Sequence, residues 1–245
     1  MIKYYTRACN FKYGPTAKHL VKAKKALPLC GNKNISFDQV EIITRGQKKI
    51  YSKVINLKKI NTLSGALRNK VRKDLKNITS KRKNFLHNID FAKPSIMGIL
   101  NLTPDSFSDG GKFNKNSKSL KHTKEMILSG ADIIDVGGES TRPGSKTVPQ
   151  EIEWKRVKFV ISKFKKKYKK TCLSIDTRKS DLMTKGIKHG VDLINDVSGF
   201  NYDKNSLPKL KKYNIAKVLH HMQGTPNSMQ KNPNYKNVLL DIYDF

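Results

Sequence analysis

A chain of 245 residues is long enough for one large α/β domain or two ordinary ones, and 37% hydrophobic content still supplies a core. The formal charge of +31 speaks to association and solubility rather than fold. No apolar run of transmembrane length occurs, the N-terminus Met1–Arg7 lacks the apolar region of a signal peptide, and Cys9, Cys30 and Cys172 stand far apart, so no membrane helix, signal peptide, disulfide framework or thiolate zinc site is expected and the cytoplasm is the expected compartment.

The charge is uneven. Residues 1–92 carry 22 lysines and arginines against 4 acidic residues. Within them, Ile35–Ile43 alternates in part, as a strand does. Leu63, Leu67, Val71, Leu75 and Ile78 recur every three or four residues and mark an amphipathic helix, with Thr62 or Ser64 placed to cap it. No catalytic or metal spacing appears there. Residues 1–92 read as a small basic α+β extension of unknown role.

From Ser95 the rhythm becomes strand–helix. Apolar runs at 96–100, 133–136, 172–175, 193–197 and 216–219 alternate with helical patterns at 120–128, 152–164, 182–187 and 207–210, and 238–245 opens another helix. Near-continuous apolar strands linked through helices indicate a parallel sheet covered on both faces. Polar residues gather where each strand ends: Asn101, Glu139-Ser140-Thr141, Asp176-Thr177-Arg178, Asn195-Asp196 and His220-His221-Met222. An open doubly wound sheet places its ligand at one switch point, whereas five successive polar strand ends favour an α/β TIM-type (β/α)8 barrel.

Each motif has two readings. Asn101 opens a Pro- and Gly-containing loop, Asn101–Gly111, where its amide would meet a hard cation or an anion, or simply complete a polar turn. Gly137–Gly144 follows the second strand. Its glycines admit a close approach and Arg142 suits a planar anion, or the segment is a plain Gly-rich turn. Asp176 and Asn195 offer donors and acceptors to a flat, amide-rich heterocycle, although Asp176 is also placed to cap the next helix. His220 and His221 are adjacent on a strand and point to opposite faces, so they do not chelate one ion; Met222 reads as an apolar wall.

Together, Asn101–Gly111, Glu139–Gly144, Asp176, Asn195–Gly199 and His221–Gly224 resemble the dihydropteroate synthase family of pterin-binding barrels, over about Ile96 to Phe245. The resemblance implies a sulfonamide-target enzyme of folate biosynthesis that joins (7,8-dihydropterin-6-yl)methyl diphosphate to p-aminobenzoate, with Mg2+ as cofactor. It implies that Asn101 holds the metal–diphosphate group and that Asp176, Asn195 and Met222 bind the pterin. Thr141 and Arg142 would lie near the diphosphate and the arriving amine, and Phe107, Arg142 and Pro143 would enclose p-aminobenzoate. No side-chain nucleophile is implied.

The family's later-strand groups have no counterpart in these 245 residues, so a barrel truncated after about five strands, inactive and poorly stable alone, is expected, with a homodimer for the full-length protein. Neither membrane nor nucleic acid is an expected partner. The alternatives are a nucleic-acid-binding protein acting through residues 1–92, or a pterin-dependent methyltransferase barrel. The loops bearing Phe107 and Pro143 suit p-aminobenzoate better than a methyl acceptor.

Overall fold

A computed structural model describes residues 2–82, 86, 89–91, 93–103, 115–140, 147–226 and 228–245. Two compact units are present, Met1–Lys83 and Asn84–Phe245. The division falls earlier than the expected end of the extension at residue 92. The reason is hydrophobic: Leu86 and Ile89 are buried in one cluster with Ile133, Cys172 and Leu193 of the second unit.

The first unit runs β1 (Lys3–Tyr13), α1 (Gly14–Lys22), β2 (Leu27–Leu29), β3 (Asn32–Arg45), β4 (Ile50–Asn56), a 3-10 helix (Leu57–Thr62) and α2 (Gly65–Thr79). The expected strand and helix are present as β3 and α2. β3 is the spine of an antiparallel sheet, paired with β1 along one edge and with β2 and then β4 along the other. Phe37, Val40 and Ile42 of β3 pack with Ile60, Val71 and Leu75. Ser64 holds the N-cap position of α2 without a side-chain capping bond, and Thr62 donates instead to the Lys59 carbonyl. On α2, buried Asp74 accepts from Thr6 Oγ1 of β1 at 2.9 Å.

The second unit alternates β5 (Met97–Asn101), α3 (Lys115–Leu128), β6 (Ile133–Gly137), α4 (Gln150–Lys167), β7 (Cys172–Asp176), α5 (Ser180–Lys188), β8 (Leu193–Asp196), α6 (Ser206–Leu210), β9 (Ala216–Leu219) and α7 (Val238–Asp244). α4 shows why such segments are helical. Glu151 and Glu153 lie in its first turn and Lys165–Lys167 in its last, complementing the helix dipole, while Val157, Val160, Ile161 and Phe164 form one buried stripe.

All five strands are parallel and lie in sequence order, β5-β6-β7-β8-β9, without the reversal of a doubly wound sheet. Right-handed crossovers then carry every helix to the same face. Leu100, Ile134, Val136, Leu173, Ile175 and Ile194 point to that face, against Val157, Ile161, Phe164 and Met183. The opposite face holds Ile133, Cys172 and Leu193 at its base. This is the architecture of the first five units of a (β/α)8 barrel, as expected from the sequence.

Candidate functional site

Parallel register brings the strand ends level. Asn101 pairs with Gly137, Gly137 with Asp176, and Asp176 with Asn195. Side-chain alternation puts all four on the face away from the helices. Ladder-like bonds continue past the strands, from Leu102 N–H to the Gly137 carbonyl at 2.7 Å and from Thr177 N–H to the Asn195 carbonyl at 3.0 Å.

The glycine that ends β6 and the one that follows it serve opposite faces. A Cβ on Gly137 would lie 3.4 Å from Asn101 Oδ1 and 3.5 Å from Asp176 Oδ2, so its missing side chain keeps the space between those polar groups open. A Cβ on Gly138 would lie 2.9 Å from the Glu153 carbonyl oxygen and 3.0 Å from Val157 Cγ1. Gly138 therefore allows α4 to seat against the strand end.

Asp176 does not cap the helix after it. Lys179 holds the N-cap position of α5, and the Ser180 N–H is taken by Asp203 at 2.9 Å. Burial, followed by the nearby carboxyls of Asp135, Glu153 and Asp196, pushes the Asp176 pKa up to about 7, with Arg178 pulling the other way. One strand over, Asn195 donates from Nδ2 to Asp135 Oδ2 at 2.9 Å. Asp135 itself is buried and its pKa raised by that burial, against the opposing pull of Ser174 and Asn195.

Asp196, next to Asn195, faces the other way and is structural. It accepts from Ser198 N at 2.8 Å, Ser198 Oγ at 2.6 Å and Phe200 N at 3.1 Å, folding the loop after β8. Beside that loop, Arg178 stands 4.2 Å over the Tyr202 ring. A cavity of about 550 Å³ is lined there by Arg178, Ser198, Tyr202, Met222 and Phe245. β9 ends at Leu219, so His220 and His221 lie past the strand rather than on it, and His221 packs 3.1 Å from the Tyr235 hydroxyl and edge-on to Phe245.

Behind the strand ends lies a buried ion cluster that the motifs did not reveal. Glu139 Oε2 accepts from Arg178 Nη2 at 2.9 Å and Lys179 Nζ at 3.0 Å, while its Oε1 accepts from the Val148 N–H at 2.8 Å. Lys179 also meets Glu153 Oε2. Burial opposes ionisation of Glu139, but the Val148 amide, Arg178 and Lys179 together hold its pKa below the usual carboxylate value.

The structure thus assembles Asn101, Asp176 and Asn195 in one layer and sets Met222 in the neighbouring cavity. Phe107, Thr141, Arg142 and Pro143 lie outside the described residues. Asp135 was missed as a site builder, whereas the close approach expected at the Gly137 glycine pair is present. The signal that marked Asp135 is an acid inside an otherwise apolar strand.

Among the described residues, no group of three or more His, Cys, Asp or Glu side chains is placed to hold a metal ion. Asn101 Oδ1 at the strand mouth is the hard-oxygen donor type that Mg2+ takes, and this ion commonly draws most other ligands from water and substrate phosphates. The residues present fit such a group. No helix among the described residues is long and apolar enough to cross a membrane.

Residues 97–245 match the family described as pterin binding enzyme. A dihydropteroate synthase from Clostridium beijerinckii is 49% identical over 147 residues, 60% of this chain and 52% of that protein. The Yersinia pestis dihydropteroate synthase, solved with a sulfonamide drug complex, superposes with a TM-score of 0.59 at 40% identity, covering 64% of this chain and 56% of that one. The Xanthomonas albilineans dihydropteroate synthase with 4-aminobenzoic acid gives a TM-score of 0.56 at 37% identity, over 62% and 53%. The chain spans about half the length of the curated relatives it matches. With its parallel strands in barrel order and its polar layer at their ends, the chain belongs to the pterin-binding enzyme family.

Proposed function

We propose that the full-length protein is a dihydropteroate synthase, condensing (7,8-dihydropterin-6-yl)methyl diphosphate with p-aminobenzoate to dihydropteroate and diphosphate in folate biosynthesis. The observation that carries this reading is the level layer of Asn101, Asp176 and Asn195 around the gap over Gly137. A flat heterocycle rich in N–H and carbonyl groups needs such a convergent set of donors and acceptors.

In this reading Asp176 and Asn195 bind the pterin edge and Met222 packs on its ring. Asn101 would hold the Mg2+–diphosphate group. Thr141 and Arg142 stand near the diphosphate and the incoming amine, and Phe107 and Pro143 enclose p-aminobenzoate. The carbon–oxygen bond to the diphosphate breaks, the ring delocalises the methylene cation, and the amine nitrogen attacks that carbon and releases one proton. No side-chain nucleophile takes part. Mg2+ would neutralise charge on the departing diphosphate. Excluding water guards the cationic carbon against hydrolysis.

The protein is proposed to act in the cytoplasm as a homodimer, with neither nucleic acid nor a membrane as partner. The test is an assay of dihydropteroate formation by the full-length protein with D176A and N195A beside it. Product formation that both variants reduce by at least about tenfold supports the assignment. A full-length protein that folds and makes no product, or variants that match it, overturns the assignment.

A further inference from the structure

Asp135 sits two residues before Gly137 on β6, one step deeper on the inner face, and is 3% exposed. Its level on that face is otherwise uncharged, with Ser174 and Leu193 its neighbours along the sheet. A carboxylate held there costs desolvation that an apolar residue of similar size would avoid. Its Oδ2 accepts from Asn195 Nδ2 at 2.9 Å. Its Oδ1 makes no hydrogen bond of ordinary geometry, the Ser174 hydroxyl standing beside it.

The bond runs diagonally across the inner face, from β6 over β7 to β8, and rises from the level of Asp135 to that of Asp176 and Asn195. A carboxylate only accepts, so the Asn195 atom facing it is the NH2 group. The carboxamide is planar, and tying down Nδ2 leaves Oδ1 as the atom free to meet a ligand. Without Asp135 the amide is free to rotate by half a turn and present a donor in place of an acceptor.

We propose that Asp135 is a positioning residue for ligand recognition: it fixes the Asn195 carboxamide with its oxygen toward the site, so that Asn195 reads an N–H group on the heterocycle. This rests on the reading above that Asn195 meets the pterin. Asp135 does not touch the ligand and acts through Asn195 alone, which makes its effect conditional on that side chain.

The experiment is a fluorescence titration of the full-length protein with 6-hydroxymethylpterin, using D135A, D135N, N195A and the D135A/N195A double variant. D135A is expected to weaken binding about tenfold and N195A at least as much, while the double variant loses no more than N195A. D135N keeps an acceptor oxygen for Asn195 and should recover most of the affinity. In turnover, D135A should raise KM for the pterin diphosphate while KM for p-aminobenzoate stays put, a split that general loosening of the barrel would not produce. If circular dichroism shows D135A unfolded, D135S removes the same acceptor with a smaller change in volume and takes its place. Wild-type affinity in D135A, or losses in D135A and N195A that multiply, overturns the inference while leaving the pterin reading intact. N195A binding like the wild type overturns both.

Discussion

Lys179 Nζ donates to Glu139 Oε2 at 3.0 Å and the same ammonium meets Glu153, so one buried cation joins the exit of β6, the start of α5 and the first turn of α4. Removing it leaves Glu139 with Arg178 but leaves Glu153, whose pKa burial already raises, without its cation. K179M should therefore cost about 3 kcal/mol, because a buried charge without its partner keeps its desolvation penalty. Urea unfolding of the variant measures this. A midpoint equal to wild type would show that the cluster contributes nothing to the fold.

Asp176 should make ligand binding pH-dependent near neutrality. A carboxyl that accepts from N–H groups through both oxygens must be ionised, so affinity for 6-hydroxymethylpterin is expected to rise as pH rises through about 7, and D176N should flatten the profile. The sign for stability is opposite. The folded pKa lies above the ordinary value of 3.8, so this group's stabilising contribution is complete at low pH and is lost as pH climbs through about 7. Titrations between pH 5.5 and about 8.5 bracket that midpoint.

The paired glycines should separate stability from binding. G138A forces a methyl to within 2.9 Å of the Glu153 carbonyl oxygen and should destabilise by about 2 kcal/mol. G137A meets Asn101 and Asp176 only at ordinary contact distance, so it should fold normally yet fill the space between them and weaken the pterin about tenfold. Melting curves alongside pterin titrations test both, and a G137A protein that binds normally would remove the gap from the site.

D196A should unpick the loop after β8. It deletes three accepted hydrogen bonds and leaves Phe200 at φ +65° and Gly199 at φ +60° without the anchor that holds the turn. The expected cost is about 2–3 kcal/mol, read by thermal unfolding. A loss of pterin affinity with unchanged stability would instead place Asp196 in direct contact with the ligand.

Legibility followed burial. The strands from Met97 to Leu219 were readable because parallel strands packed under helices are nearly continuous in apolar residues, and Asn101, Asp176 and Asn195 stood out as polar groups at their ends. β1 and β4 were not readable, since β4 is largely exposed, β1 is mostly half-buried or exposed, and neither carries clear apolar periodicity. The boundary near residue 83 was equally hidden, because the burial of Leu86 and Ile89 against β6, β7 and β8 depends on contacts distant in sequence.

The sequence by itself determined the strand–helix alternation, the family and the chemical types at each strand end, because these follow from local periodicity and from residue strings. Only the tertiary structure decided how those types are used. It turned Asp196 away to brace a loop, buried Asp176 beside other carboxyls so that its pKa is raised, and put Asp135 within reach of Asn195 across 60 residues of sequence. Register and side-chain alternation fix which of two adjacent polar residues faces the site, and register exists only once the strands have paired.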